Sequence, residues 1–189
     1  KLLSEANNLE DDKPENYLLA ETLELEIGYS LIPLVEKEQG GDLLDRMKSI
    51  RKQLTKELGI VIPSIRIRDN VQLNANAYSI KMRGIVQAEG EILPGYHLVL
   101  LPANIKPEIQ GIPTKDPAFG LDALWIDPNS AEVAKSLGFT VVDAPTAIAT
   151  HVNSLVRDNA HELLGQDETQ QLLDKVAAKY PKLVSSLVP

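Results

Sequence analysis

The sequence predicts a mixed α/β fold that ends in helices, and three observations support that prediction. Segments such as "TLELEI" alternate apolar and polar residues, which is typical of half-buried strands. Other segments place apolar residues three and four positions apart, which is typical of amphipathic helices. Strand and helix segments are mixed along the 189 residues, and 43% of these residues are hydrophobic, so the chain can bury a core of its own.

The first quarter of the chain predicts a linker, two extended segments and one helix. Residues 1–21, which contain an acidic run and Pro14, are predicted to be a linker. "TLELEI" predicts a strand, and "SLIPLV" predicts a second extended segment. A helix is predicted from Asp42, as its cap, to Gly59, as its stop, because large apolar residues recur at steps of four and three between them.

Further strands are predicted in the middle of the chain. The segments "IPSIRIRDN" and "YSIKMRGIV" alternate, and the continuous apolar run in "HLVLLP" predicts a more deeply buried strand. Residues 102–121 carry four prolines and little periodicity, which predicts a long loop. Long loops inside compact domains are often functional.

The second half of the chain predicts two more strands, "LDALWI" and "TVV", with a short helix between them in "DPNSAEVAKSLGF". The longest predicted helix begins after Asp143 and ends at Gly165, and a last helix begins at Asp167 and ends before Pro181. The predicted inward stripe of the longest helix is Ile148, Val152, Leu155 and Leu163. Its predicted solvent-facing residues are Thr150, Ser154, Arg157 and His161.

Composition and motifs exclude several functional classes. With 19 basic and 27 acidic side chains the net charge is −8, so nucleic acid is not an expected partner. The absence of cysteine excludes disulfides, thiolate chemistry and cysteine-ligated zinc. The three histidines lack the spacing of metal ligands, and neither a nucleophile elbow nor a phosphate-binding loop is present. The sequence therefore predicts no catalytic residue, no metal and no cofactor, and no segment is apolar enough to cross a membrane.

The segment "TKDPAFGL" places one of the two phenylalanines of the chain among turn-forming residues. Asp116 precedes proline and can accept hydrogen bonds from the amides of Ala118 and Phe119, while Pro117 suits the first position of a single helical turn. Gly120 can leave that turn with a positive φ. Two interpretations follow: the Phe119 ring is a plug buried under its own loop, or it lies in an apolar surface depression, with Asp116 at the lip, that accepts a partner's hydrophobic side chain.

Five blocks in chain order resemble the FlhA/InvA family of type III secretion export gates. They are "ELEIGYSLIPLVE", "GGDLLDRMKSIRKQLTKELGIVIPSIRIRDN", "TKDPAFGLDALWI", "GFTVVDAPTAIATHVNSLVRDNAHELLG" and "LLDKVAAKYPKLV". The resemblance implies a fragment of the cytoplasmic portion, with a thioredoxin-like α/β subdomain at residues 22–94 and 144–163. A second small α/β subdomain at 95–143 would interrupt it, and 164–189 would begin a helical subdomain.

The resemblance also implies a function, which is the docking of flagellar export chaperones with their substrates at an apolar dimple. The matching positions are Asp116, Phe119 and Thr150, with Pro117 and Gly120 shaping the loop. A homo-oligomeric ring, contacts with other export-apparatus proteins and a location at the cytoplasmic face of the bacterial inner membrane are implied as well. A purely structural ring segment, or an enzyme on a thioredoxin-like fold, would be the alternatives.

Overall fold

The computed structural model describes residues 22–102 and 109–187, and within them it confirms the mixed α/β class. Two four-stranded sheets and several helices make up this part of the chain. The predicted linker at residues 1–21 lies outside the described residues. None of the described helices is long and apolar enough to cross a membrane.

The first sheet has the strand order β2-β1-β3-β4. Strand β1 (Leu23–Ile27) pairs in parallel with β2 (Ile65–Asp69) and antiparallel with β3 (Ala77–Met82), and β4 (Ile85–Glu91) adds to β3 as a hairpin. The strand β1 alternates buried leucine and isoleucine with half-buried glutamate, as its sequence predicted. This order and these directions are those of a thioredoxin-like sheet.

The second sheet has the order β6-β7-β5-β8, and all its strand pairs are antiparallel. Its strands are β5 (His97–Leu100), β6 (Ile112–Lys115), β7 (Asp122–Ile126) and β8 (Thr140–Asp143). The strand β6 lies inside the segment that the sequence predicted to be a loop, so that prediction was wrong for these four residues. This strand lacks a sequence signal because it contains Pro113 and three of its four residues are exposed at the sheet edge.

Five α-helices complete the described part of the chain. They are α1 (Leu43–Leu58), α2 (Ala131–Ser136), α3 (Ala144–Asp158), α4 (Gln166–Lys179) and α5 (Pro181–Leu187). Short 3-10 turns occupy Tyr29–Leu34, Lys37–Gln39, Pro128–Ser130 and Ala160–Leu163. The helix predicted to run on to Gly165 therefore ends at Asp158 and is followed by a separate 3-10 turn.

Two further predictions were wrong in the first sheet region. The segment "SLIPLV" is a 3-10 helix rather than an extended segment, because one such turn buries both Leu31 and Val35 and accommodates the fixed φ of Pro33. The segment "YSIKMRGIV" is a hairpin rather than one strand. Its turn residues Arg83 and Gly84 have φ values of 49° and 79°, as a type I′ turn requires.

The caps of the two long helices differ in kind. Asp143 accepts a hydrogen bond from the Thr146 amide at 2.9 Å, which confirms it as the cap of α3. Gly59 ends α1 in the left-handed region, with a φ of 72°, as predicted. Asp42, however, makes no capping hydrogen bond, because its carboxylate instead accepts one from the guanidinium of Arg46.

The core joins the two sheets through α3. Ile148, Val152 and Val156 on α3 are fully buried in one cluster with strands of the first sheet, with α1 and with Leu98 and Trp125 of the second sheet. The other face of the second sheet packs on α2 in a smaller cluster. Successive residues of β7 alternate between the two clusters, as the pleat of a strand requires.

Gly90 in β4 lets the backbone of that strand pack directly against the side chain of Tyr78. A Cβ at Gly90 would lie 2.6 Å from both Cζ and the hydroxyl oxygen of Tyr78, whose side chain is fully buried. Because the ring cannot retreat into a packed core, we expect Gly90→Ala to lower the free energy of unfolding by about 1–3 kcal/mol in urea denaturation.

The exposed neighbour Glu91 supplies the control for this substitution. Glu91→Ala should change the free energy of unfolding by less than about 0.5 kcal/mol. An unfolding midpoint of Gly90→Ala equal to that of the unchanged chain would show that the Tyr78 ring is not confined as the structure indicates.

Candidate functional site

The loop between β6 and β7 is shaped by hydrogen bonds of one acidic residue. The Asp116 carboxylate accepts a hydrogen bond from the Phe119 amide at 2.7 Å, and its carbonyl accepts one from the Gly120 amide at 2.8 Å. The Asp116 amide donates to the carbonyl of Leu121 at 2.8 Å. Gly120 has a φ of 68°, so the predicted turn chemistry, with Pro117 in its first position, is present.

The sequence suggested that Asp116 lies at the lip of a surface depression, but the structure buries this residue. The residue is only 5% exposed, so its carboxylate faces the interior. A buried carboxylate is costly unless hydrogen bonds compensate it, and the Phe119 amide supplies one. The role of Asp116 in the structure is therefore to hold the loop from beneath.

The Phe119 ring is 59% exposed, so the interpretation as a plug buried under its own loop is wrong. Leu121 in the same loop is also exposed, and Ile112 is exposed at the other end of β6. Two exposed apolar residues at a hairpin tip are a candidate contact for another protein. We call Phe119 and Leu121 the hairpin patch.

Thr150 lies in a different surface feature, an open groove of about 390 Å³ between α1 and α3. The polar walls of the groove include Asp45, Ser49 and Gln53 from α1 and Asn153 from α3. Thr150 is half-buried rather than fully solvent-facing. Of the predicted binding residues, the structure thus brings Asp116, Pro117, Phe119 and Gly120 together in one loop and places Thr150 in the groove, which Phe119 does not line.

The groove ends at an ion-pair network that the sequence analysis missed. The guanidinium of Arg46 donates to Asp42 at 2.7 Å, to the Thr146 hydroxyl at 2.6 Å and to Asp143 at 2.9 Å. Burial raises the pKa of the Asp143 carboxyl, but hydrogen bonds from Thr146 and the charge of Arg46 outweigh it and hold the pKa below its ordinary value. Arg46 therefore ties α1 to the first turn of α3.

A buried pair of Tyr78 and His151 lies between the first sheet and α3. The Tyr78 hydroxyl and Nδ1 of His151 are 2.7 Å apart, and the two rings meet edge to face with centroids 5.7 Å apart. The burial of His151 was not predicted, although the sequence contains a signal for it. His151 follows Ile148 by three positions and precedes Leu155 by four, which places all three on one side of the helix.

The charge of Asp116 acts on both members of this pair. Burial lowers the pKa of His151, and the Asp116 carboxylate partly opposes that change. Burial raises the pKa of the Tyr78 phenol well above its ordinary value, and Asp116 raises it further. At neutral pH both rings are therefore uncharged and the loop carboxylate lies close enough to interact with them.

The surface features of this region are suited to non-covalent binding. In residues 22–102 and 109–187 no group of three or more acidic or histidine side chains is arranged to hold a metal ion. The hairpin patch offers apolar area, and the groove offers carboxylate, hydroxyl and amide groups. A protein surface with an apolar anchor and a polar surround could dock on this arrangement.

Comparison with known proteins identifies close relatives. The FHIPEP family model matches residues 3–189. The flagellar biosynthesis protein FlhA of Bacillus subtilis strain 168 is 46% identical over 167 residues, which cover 88% of this chain and 25% of the relative. FlhA of Helicobacter pylori strain J99 is 44% identical over 184 residues, which cover 97% of this chain and 25% of the relative. The chain thus spans about a quarter of the length of the curated relatives it matches.

Solved structures share the fold. Chlamydia pneumoniae CdsV superposes with a TM-score of 0.75 at 22% identity, over 92% of this chain and 56% of that chain. The nonameric SctV-C of EPEC superposes with a TM-score of 0.62 at 20% identity, over 95% of this chain and 50% of that chain. At these identities the likeness establishes the mixed α/β fold and nothing further.

The lowered pKa of His151 predicts how stability depends on pH. The folded chain binds a proton on His151 less readily than the unfolded chain, in which the ring titrates near its ordinary value of 6.5. The contribution of His151 to stability is therefore complete above that value and is lost as the pH falls through the lowered pKa. Between about pH 7 and about pH 5, the free energy of unfolding should fall more steeply in the unchanged chain than in His151→Gln.

Urea denaturation at a series of pH values measures this difference. His161→Gln serves as the control, because His161 is exposed. The slope of stability against pH in His151→Gln is compared with the slopes of this variant and of the unchanged chain. Parallel slopes for the unchanged chain and His151→Gln would show that the buried ring does not resist protonation.

Proposed function

The chain belongs to the FHIPEP family, as the sequence resemblance implied, and from that premise we propose that it forms part of a flagellar type III protein export gate and docks export chaperones that carry their substrates. Docking would take place at the hairpin patch, and release would hand the substrate to the membrane channel. The chain spans about a quarter of the length of its curated relatives. The export function is therefore proposed for the whole protein, of which this chain would be one part.

The names and identities of the relatives support the flagellar assignment. FlhA of Escherichia coli K12, also named a flagellar biosynthesis protein, is 42% identical over 187 residues, which cover 99% of this chain and 27% of the relative. The structural neighbours CdsV and SctV-C are 22% and 20% identical, about half the identity of the flagellar relatives. A flagellar export gate is therefore favoured over an injectisome gate.

The observation that carries the proposal is the exposed ring of Phe119 on a loop held by the hydrogen bonds of Asp116. Filling an apolar surface contact with one or two partner side chains contributes about 1.5–3 kcal/mol for each side chain. Two such side chains and a polar surround suit an affinity in the micromolar range, which allows release as the substrate moves on. A loop fixed by Asp116 also loses little conformational freedom on binding, which favours the ring as an anchor.

The groove that contains Thr150 is proposed as a second contact of the same chaperone. Its hydroxyl and amide groups can hydrogen-bond a polar helix or loop that lies beside the apolar anchor. Thr150 is half-buried at its wall, so a partner side chain can reach it without any change of the core.

Relatives also support the other parts of the proposal. The nonameric state of SctV-C supports a homo-oligomeric ring, and a complex of Chlamydia pneumoniae CdsV with CdsO supports contacts with other export-apparatus proteins. We place the ring at the cytoplasmic face of the bacterial inner membrane. The boundaries of the three subdomains, at residues 22–94 with 144–163, 95–143 and 164–189, remain part of this proposal.

The proposed mechanism includes no chemical step, so the chain is not proposed to be an enzyme. The named relatives in the FHIPEP family are secretion-apparatus proteins, which supports a function without catalysis. A purely structural ring segment is the alternative that the nonameric relative favours. In that alternative the hairpin patch would have no chaperone partner.

Truncation of Phe119 separates these two functions. We expect Phe119→Ala to weaken binding of a purified flagellar chaperone–substrate complex by about ten- to a hundredfold, because the apolar anchor is lost. The thermal midpoint should hardly change, because the ring is 59% exposed in the free chain. Isothermal titration calorimetry measures the affinity, and differential scanning calorimetry measures the midpoint.

Tyr29 provides a matched control, since it is another aromatic residue on the surface and is 67% exposed. Tyr29→Ala should leave the affinity unchanged. If Phe119→Ala binds the complex as tightly as the unchanged chain, the chaperone-docking proposal is wrong and a structural ring segment is favoured.

A further inference from the structure

The side chain of Arg46 spans the start of the groove from α1 to α3. On its own helix, Asp42 lies one turn earlier and accepts a hydrogen bond from Nε at 2.7 Å. The other two nitrogens of the guanidinium reach α3, where Nη1 donates to the Thr146 hydroxyl at 2.6 Å and Nη2 donates to Asp143 at 2.9 Å. Asp42 therefore orients the planar group so that its fork points across the gap between the helices.

The two acceptors on α3 form the cap of that helix. One oxygen of Asp143, Oδ1, accepts the hydrogen bond of the Thr146 amide, and the other, Oδ2, accepts that of Arg46. The Thr146 hydroxyl accepts from Arg46 and also donates to Oδ1 of Asp143. Because the guanidinium holds both residues of the cap, α1 fixes the position of the first turn of α3.

A second ion pair joins the far ends of the same two helices, and it is simpler. Arg157 of α3 donates one hydrogen bond, to Glu57 of α1 at 2.5 Å, and both side chains are more than a third exposed. Such exposed pairs usually contribute little to stability. Arg46 is only 33% exposed and uses three nitrogens on three acceptors, so it is held in one geometry. The start of α3 is therefore fastened more firmly than its end.

The polar face of α3 changes character directly after the residue that Arg46 holds. Thr150 follows Thr146 by one helical turn, and both line the groove. The Thr146 hydroxyl is occupied, but no described residue hydrogen-bonds the Thr150 hydroxyl. Among the same residues, the buried Oδ1 of Asn153 also has no hydrogen-bond partner. Thr150 is therefore the first position on this face whose hydroxyl remains for a ligand.

Resting on the proposed docking function, we propose that Arg46 is a positioning residue for the second chaperone contact. It fixes the first turn of α3 and thereby the place and rotation of the next turn, in which Thr150 presents its hydroxyl to the groove. Arg46 acts on the chaperone through Thr150 and not by a contact of its own.

Hydrogen exchange of the free chain tests the structural half of this proposal without any partner. Arg46→Met removes the guanidinium and keeps a long unbranched side chain. The variant should fold, because Asp42 and Asp143 are both partly exposed and water can hydrate them. We expect exchange at the Thr146 and Thr150 amides to rise about three- to tenfold, since the first turn loses its fastening.

Two further variants separate the geometry of the guanidinium from its charge. Arg46→Lys keeps the charge, but one ammonium group cannot reproduce the fork, so exchange should rise nearly as much as in Arg46→Met. Arg157→Met removes the same kind of side chain from the far end of the helix pair and should leave the Thr146 and Thr150 amides unchanged. The proposal is overturned if either Arg46 variant exchanges like the unchanged chain, or if the Val156 amide in the second half of α3 rises equally.

A double-mutant cycle with a purified flagellar chaperone–substrate complex tests the functional half. Arg46→Met should weaken binding about three- to tenfold, but less than about twofold when Thr150→Val has already removed the hydroxyl. Its effect should multiply with that of Phe119→Ala, because Phe119 does not line the groove. A full effect of Arg46→Met in the Thr150→Val background would reveal a direct contact and overturn the proposal.

The two experiments also distinguish this inference from the docking function on which it rests. If Phe119→Ala leaves the affinity for the complex unchanged, the docking function fails. Exchange in the free chain still decides whether Arg46 positions α3, because no chaperone takes part in that measurement.

Discussion

The hydrogen bond from the Phe119 amide to the Asp116 carboxylate is the contact on which the proposed function depends. It joins a residue that is 5% exposed to one that is 59% exposed. A side chain as apolar as phenylalanine would favour burial if the loop could turn it inward. Because the loop amides are fixed on the buried acid, the ring stays at the surface, where another protein can cover it.

The rest of the fold keeps that acid in place. The helix α3 packs its buried face against both sheets in one core cluster, so the hairpin of the second sheet cannot move independently of it without opening the core. Arg46 ties α1 to the start of the same helix through Asp143 and Thr146. The loop, the groove and the buried Tyr78 and His151 pair therefore share one rigid support.

The sequence predicted the features that depend on local chemistry. Alternation predicted β1, and the residue types around Phe119 predicted a turn with an aspartate cap and a glycine of positive φ, because such preferences act within a few residues. The Asp143 cap of α3 followed from the same kind of local signal. Motif blocks identified the family, which composition and periodicity alone did not.

The features that the sequence analysis missed depend on distant contacts. The charge of Asp116 acts on His151 and Tyr78, which are 35 or more positions away in the sequence, and no local pattern connects them. Nothing in the local sequence around Arg46 indicates its partners, which are 97 and 100 positions away. The 3-10 turn at Tyr29–Leu34 was mistaken for an extended segment because a short apolar run does not distinguish the two.

Site-specific photo-crosslinking tests the central claim most directly. A photoreactive phenylalanine analogue would be placed at Phe119 or, as a control, at Tyr29, and the chain irradiated with a flagellar chaperone–substrate complex. The account predicts crosslinks to the chaperone from position 119 and none from position 29. Crosslinks of equal yield from both positions, or none from position 119, would contradict it.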